Sequence, residues 1–350
     1  MKLRFLARWL AVAALFLSAA SAHAYVFSFD GIYYNVLSEE DRTVEVSRCR
    51  NFVGLFTCYQ GDVAIPERAI SNGITYTVIS IAKDAFQNCG ALKSVDMSST
   101  FLTSIEDETF FGCSSLTSVD LSSTSLTSIG DEAFSGCDAL TSVAFPASLT
   151  SIGKYAFENC DALTSVDLSS TSLTSIGGAA FRDCDALTSV ALPVSLTSIG
   201  NRAFRDCSAL TNLTVDEGNP AFTSRDNVLY SKNLDTLVCY PTGANKEVVI
   251  PETVRSVRED AFPGKVNTVY CQPQTPPTAV DGEFQDMFTD ETLMNAVLYV
   301  PVGTKTAYMQ VDPWRNFWNI EESDFKTVGI DGVAAQGVPS VTVRGGAIVV

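Results

Sequence analysis

Six cysteines recur on a fixed beat: Cys89, Cys113, Cys137, Cys160, Cys184 and Cys207, each 23 or 24 residues after the last. Thiols at regular spacing suggest nucleophilic attack, zinc ligation or disulfide formation. Attack by the usual route needs a histidine base. The one histidine is His23, inside an apolar leader that export would remove. Its loss also takes away the commonest zinc ligand, and four thiolates would have to converge from a single face to replace it. Carboxylate pairs can hydrolyse glycosides without histidine, and there are 40 acidic residues. No cleft-forming insertion interrupts the array that carries them, however. No phosphate loop, HExxH or CxxC motif occurs. The chain is read as non-catalytic, with no cofactor and no metal.

The elements that carry these cysteines are copies of one another. Phe86, Phe110, Phe134, Phe157, Phe181 and Phe204 each precede a cysteine by three residues. A period in this range signals a solenoid, in which each copy is one coil stacked on the last. In the copy that starts at Leu126, the apolar or small positions are Leu126, Ile129, Ala133, Phe134, Cys137, Leu140, Val143 and Phe145, with Ser, Thr, Asp or Gly almost everywhere between. Val143-Ala144-Phe145 alternates in, out, in, as a short strand does. Val119-Asp120-Leu121, Val166-Asp167-Leu168 and Val190-Ala191-Leu192 are its equivalents. Stacked, they predict a parallel sheet with rungs about 4.8 Å apart. The LTSI stretch predicts a second, shorter extended face. GDEAFSGC, with acid first and glycine after, predicts one tight helical turn. Stacked rungs hold equivalent side chains parallel, whereas a disulfide wants its Cβ atoms about 3.8 Å apart and facing each other. The six repeat cysteines are therefore expected as buried thiols.

Residues 1–24 read as a signal peptide. Lys2, Arg4 and Arg8 precede an apolar run from Trp9 to Ala20, and Ala22-His23-Ala24 offers the small-x-small cleavage site. The run is too short for a comfortable membrane span. Without the leader, 20 basic residues face 40 acidic ones, a net charge of −20 against −17 for the whole chain. Such a surface disfavours nucleic acid and anionic membranes, and no membrane insertion is expected. Residues 25–75 are expected as an N-terminal β cap, 76–213 as the repeat array, and 214–320 as irregular repeats with a C-terminal cap. Within the last, VDEGNPAFTSRDNVLYSKNLDTLVCYPTG suggests a hairpin insertion, Phe262 returns to the aromatic position, and Trp314, Phe317 and Trp318 are expected to close the final coil. Residues 321–350 form a weaker tail.

The string Ile-x-x-x-Ala-Phe-x-x-Cys-x-x-Leu-x-x-Val, with IP or DLSS between copies, resembles the BspA-type bacterial leucine-rich repeat. The resemblance spans roughly residues 60–320, and LYVP, Tyr308 and WRNFWNI are similar to the end of such arrays in Bacteroidetes surface proteins. It implies a leucine-rich-repeat solenoid of stacked short parallel β-strands with tight helical turns and β-rich caps at both ends. It further implies a secreted or cell-surface protein that binds host proteins or other cells. The tail resembles only the first strand of a sorting domain.

Outward positions of the predicted strands form the candidate binding face: Ser94, Ser118, Ser142, Ser165 and Ser189 in one column, Asp96, Asp120 and Asp167 with Ala144 and Ala191 in the next. Small polar side chains make a flat hydrated surface suited to an extracellular or host protein, with glycan as the alternative ligand and a ligand-free structural role as a third reading. Adjacent Asp96 and Asp120 repel unless a cation or Lys93 intervenes, so a solvated acidic face stands beside a cation-assisted adhesive strip. The triplet Leu-Thr-Ser, which recurs on both sides of the coil, suits a turn-forming role. Cys49 and Cys58 flank a predicted hairpin turn outside the repeats and are a candidate disulfide. Cys239 and Cys271 read as unpaired core residues, with pairing between them left open.

Overall fold

The structure is a computed structural model and describes residues 26–49, 59–98, 101–241, 243, 247–262, 264–280 and 287–325. The leader, Cys58 and the tail beyond residue 325 lie outside the described residues.

Each coil of the array contributes two strands. The longer ones are Leu92–Asp96, Ser118–Asp120, Ser142–Ala144, Ser165–Asp167, Ser189–Leu192 and Asn212–Val215. The shorter ones are Ser-Ile pairs from Ser104–Ile105 to Ser198–Ile199, which form one five-stranded parallel sheet. Register is set by identity of position: Ser118 pairs with Ser142 and Val119 with Val143, Ser165 with Ser189 and Val166 with Val190. A slip of one residue would turn every buried Val outward. The stack begins before the sequence repeats do, because Gly61–Ala64 pairs in parallel with Leu92–Asp96.

The longer strands form two sheets, divided between Ser142–Ala144 and Ser165–Asp167. Phe145 sits at the division, where other coils carry Leu121, Leu168 and Leu192. Its ring stands edge-on to Phe157, with centroids 5.9 Å apart.

The segment between the two strands is not the helical turn that its acid-first, glycine-last pattern predicts. Each copy holds two left-handed residues four positions apart, such as Glu132 (φ 56°) with Gly136 (φ 70°) and Tyr155 (φ 56°) with Asn159 (φ 56°). Its N–H groups alternate: Phe134 donates to the carbonyl of Ala156 at 2.7 Å and Gly136 to that of Glu158 at 2.8 Å, one coil on, while Ser135 and Cys137 close local turns on the Glu132 and Phe134 carbonyls at 3.2 Å. The backbone here satisfies itself partly between coils and partly in single turns, with no run of helical bonds. Among the described residues, α-helix is confined to Asp290–Asn295 and Lys305–Tyr308.

Inside the coils the aromatic positions form a continuous stack. Rings of Phe86, Phe110, Phe134, Phe157, Phe181 and Phe204 follow one another with centroids 4.9 to 5.8 Å apart and planes within 15°. The rungs dictate that spacing, and parallel rings so far apart are offset stacks, one of the two arrangements aromatic pairs favour. Full burial of each is worth roughly 1.5–3 kcal/mol relative to exposure.

The core has two parts. One runs from Phe27 to Cys239, the other from Val228 to Ile320. Between the regular coils and the second part lies an antiparallel excursion, Phe222–Arg225, Val228–Ser231 and Thr236–Cys239. The stack then restarts, with Phe262 lying 4.8 Å from Phe288. Trp314 and Phe317 are buried at its end, but Trp318 is 75% exposed and does not join them. At the other end a five-stranded sheet, built from Val26–Phe29, Ile32–Ser38, Thr43–Val46, Arg68–Ser71 and Ile74–Ile81, abuts the first coil. Tyr59 carries the aromatic stack onto Phe86 at 4.7 Å.

Candidate binding face

The repeat cysteines are buried thiols, and the structure gives them a specific partner. Cys113, Cys137, Cys160, Cys184 and Cys207 each donate S–H to the carbonyl of the phenylalanine one coil back, at 3.0 to 3.3 Å. The thiol thus fills a small apolar slot and also satisfies a buried acceptor. Burial pushes the Cys137 thiol up to about 12 and the Cys160 and Cys207 thiols well above the ordinary 9.0. A group held this firmly protonated is a poor nucleophile and a poor metal ligand at neutral pH. Cys239 and Cys271 are also buried thiols, raised by burial, and the Tyr308 hydroxyl points at Cys271 from 3.4 Å. Cys49 is buried, while the pairing proposed for it involves Cys58, outside the described residues.

Strand alternation puts the predicted columns on the surface. Ser118, Ser142 and Ser165 are exposed, as are Asp96, Asp120 and Asp167, while Ser94 and Ser189 are half-buried. Ser94 stands opposite Ser118, Ser118 opposite Ser142 and Ser165 opposite Ser189. The column extends upstream to Asp62, which accepts from the Ser94 hydroxyl at 2.7 Å, and downstream to Asn212.

The aspartates are less available than their exposure suggests. Oδ1 of Asp120 accepts from the Ser122 N–H at 2.9 Å and from its hydroxyl at 2.6 Å, and Asp167 does the same with Ser169 at 3.0 and 2.6 Å. Asp96 accepts from the Ser98 N–H at 2.9 Å. Each carboxylate therefore closes the turn that follows its own strand. These bonds hold all three carboxyls below the usual 3.8. Among the described residues no group of three or more His, Cys, Asp or Glu side chains converges to hold a metal.

The threonines of the Leu-Thr-Ser triplets are committed too, though not to turns. Thr127, Thr150, Thr174 and Thr197 donate their hydroxyls to the carbonyl of the equivalent threonine one coil back, at 2.8 to 3.1 Å. Thr141 and Thr188 do so on the other side of the coil at 3.0 and 2.9 Å. The hydroxyls therefore tie coil to coil at the entry to each strand. The triplets recur at the coil spacing, which sets each threonine beside its equivalent one rung away.

One small crevice lies where the two core regions meet, lined by Ile199, Ala203, Phe204, Val238, Cys239, Arg258 and Asp260. It has room for about one water. Arg258 is buried there and donates to the Ile199 carbonyl at 2.9 Å and to Asn201 Oδ1 at 3.0 Å, with Asp260 3.3 Å away. Asp260 also accepts from the Arg202 N–H. The cluster ties the last regular coil to the first coil after the excursion, which is a structural task.

Residues 69–171 match the BspA type Leucine rich repeat region, in six copies. The chain is similar to a leucine rich cell surface protein from Faecalibacterium prausnitzii, with 20% identity over 91% of this chain and 100% of that one and a TM-score of 0.53. It is similar to a leucine-rich repeat protein from Bacteroides ovatus, with 24% identity over 85% of this chain and 77% of that one and a TM-score of 0.60. A leucine-rich repeat protein from Eubacterium ventriosum shows 21% identity over 86% of this chain and 68% of that one, with a TM-score of 0.53. At these identities the likeness is one of fold: a solenoid of stacked parallel strands. No curated protein matches the chain.

Proposed function

We propose that this chain, a BspA-type leucine-rich repeat protein, is an exported, non-catalytic adhesion protein that docks an extracellular or host protein on its Ser/Asp ladder face. The observation that carries this reading is the face itself. Ser118, Ser142, Ser165, Asp120 and Asp167 lie exposed on strands in parallel register, with backbone hydrogen bonds already made between coils. A surface of this kind offers breadth rather than depth, and suits a partner that touches many rungs weakly. The apolar leader and the cleavage site at Ala22-His23-Ala24 support export. Secretion or display at the cell surface follows, the neighbour from Faecalibacterium prausnitzii being called a cell surface protein. The mixed sheet before the array and the irregular coils after it would act as caps, covering edges that would otherwise invite strand addition.

The test places a bulky charge on the face. Ser142→Arg with Ala144→Arg changes two outward positions of one rung. Binding to wells coated with extracellular matrix proteins should weaken about tenfold, equivalent to 1.4 kcal/mol, with the melting temperature unchanged. If folded wild-type protein bound none of the matrix proteins, or the double variant bound as well as wild type, the reading would be wrong.

A further inference from the structure

The array face carries almost no aromatic side chains, but the last sheet does. Strands Glu247–Ile250, Thr268–Cys271, Val297–Pro301 and Asn319–Ser323 run parallel in register. Val248, Val269, Leu298 and Ile320 point inward and are buried. The alternate positions Val249, Tyr270, Tyr299 and Glu321 form one row across the outer face. The rings of Tyr270 and Tyr299 stack with centroids 5.2 Å apart and planes 11° from parallel. Such a spacing leaves them face to face, so they stand up from the sheet as plates instead of lying flat on it. One strand further on, where a third plate would stand, is the carboxylate of Glu321, exposed.

The neighbouring row reads Glu247, Thr268, Val297 and Asn319. It adds a second exposed carboxylate, Glu247, at the opposite edge of the sheet. Burial, and then Glu247, push the Tyr270 phenol above its ordinary 10.0, which puts that carboxylate within electrostatic reach of the ring. Among the described residues neither Glu247 nor Glu321 is held in an ion pair. The patch thus has an aromatic centre and an acidic rim, the reverse of the array, whose aspartates are occupied by their own serines. Tyrosine centres with polar rims characterise protein interfaces.

We propose that this face binds a basic peptide segment, with an arginine side chain laid against the side of Tyr299 away from Tyr270 and its guanidinium donors on Glu321. A guanidinium is planar, stacks on an aromatic ring and presents a fork of donors to a carboxylate. It therefore continues the row as its third plate. The open ring face is a single ring wide, and the two exposed carboxylates beside it select positive charge over a neutral sugar. The chain's net charge of −17 adds attraction at longer range. This surface is separate from the ladder face, and the proposal does not depend on that face binding anything.

The experiment uses the full chain and a fluorescent peptide of alternating arginine and serine, followed by polarisation at low salt, with a citrulline-for-arginine peptide as the uncharged probe. The arginine peptide should bind, and the citrulline peptide about tenfold more weakly. Tyr299→Ala and Glu321→Gln should each weaken arginine-peptide binding about fivefold, while Tyr299→Phe retains it. Glu321 is exposed, so its substitution leaves the fold intact even if Tyr299→Ala does not. The proposal is overturned if wild type ignores the arginine peptide, if citrulline serves equally, or if Glu321→Gln binds like wild type. It is also overturned if a neutral oligosaccharide, and not the peptide, is the ligand lost in Tyr299→Ala. Loss of matrix binding in the Ser142→Arg, Ala144→Arg protein alone reports on the other face.

Discussion

The most discriminating test of the coil geometry is a pair of glycine-to-alanine substitutions that should move stability in opposite directions. Gly153 follows Ile152 in the column Gly130, Gly153, Gly177 and Gly200. Its N–H donates to the Ile129 carbonyl one coil back at 2.8 Å. A Cβ there would lie 2.6 Å from Asp131 N, Asp131 Oδ1 and the carbonyl carbon of Gly130. Two of those atoms are backbone, so no side chain can swing aside and the coils must part. Parting them also strains the bond from Lys154 N to Asp131 Oδ1, 2.7 Å long. Gly90 is a contrast. Its Cβ would meet only the Ser114 hydroxyl, at 3.4 Å, and that side chain rotates. Neither glycine has a positive φ, so alanine suits both backbones. Replacing glycine stabilises by about 0.4–1 kcal/mol through the unfolded chain. Forced overpacking costs about 1–3 kcal/mol. Gly153→Ala should therefore be less stable by up to about 2 kcal/mol, and Gly90→Ala more stable by about 0.5 kcal/mol. With a urea slope of about 3 kcal/mol/M, the first moves the midpoint down by about 0.7 M and the second up by about 0.2 M. Equal midpoints for the two variants, or a Gly153→Ala protein at least as stable as wild type, would refute the claim that coil contact forces glycine here.

Three further outcomes follow from the same interior and surface. In the native protein the buried repeat thiols should resist a chromogenic disulfide reagent, and after unfolding without reductant at least eight of the ten cysteines should react, the six repeat thiols together with Cys239 and Cys271; fewer than eight would mean bridged cysteines. Asp138, Asp161 and Asp185 occupy one exposed column, and burial followed by its two aspartate neighbours raises the Asp161 carboxyl above 3.8. A raised acid destabilises the fold above its folded value, and that penalty vanishes as pH falls below 3.8. Asp161→Asn should therefore raise the melting temperature at neutral pH and lose its advantage at acid pH; an advantage that persists below that value would contradict the assignment. Asp120 and Asp167 work in the other direction, contributing stability above 3.8 that disappears as pH falls through their lowered folded values. Arg258→Ala leaves Asp260 without its buried partner and should cost about 3–5 kcal/mol; calorimetry should show the two core regions melting apart, and a single unshifted transition would argue against the arginine as their tie.

Much of the interior was legible because inward positions repeat by residue type. Phe134, Cys137, Leu140, Val143 and Ile129 can be sorted into a buried edge without coordinates. The turn was misread because acid-then-glycine is also a helix signature, and a helix is the commoner answer to it. A better signal stood two residues after each phenylalanine: Asn88, Gly112, Gly136, Asn159, Asp183 and Asp206. Asn, Asp and Gly are the types that accept left-handed backbone, and the structure places all six there. The ties between coils were out of reach for a different reason. Thr127 and Thr103 are distant in sequence, and nothing about a threonine says that its hydroxyl will meet a carbonyl one rung away. The tyrosine row was hidden by spacing. Tyr270 and Tyr299 share a register position but lie 29 residues apart, outside the 23- or 24-residue beat.

The outward half of the repeat carries less information for a ligand than its exposure implies. Asp120 and Asp167 close their own turns, and the threonines are tied to the coil behind them. What remains for a partner on the array is the second carboxylate oxygen of Asp120 and Asp167, the hydroxyls of Ser118, Ser142 and Ser165, threonine methyls and small alanines. Groups of that kind discriminate weakly, because each loses little when it meets the wrong neighbour. Tyr299 and Glu321 differ in that, among the described residues, no bond occupies the carboxylate and one face of the ring has no aromatic neighbour. On the reading proposed for the two faces, the array would contribute area and reach, and selection among partners would fall to the few side chains whose chemistry the fold does not itself consume.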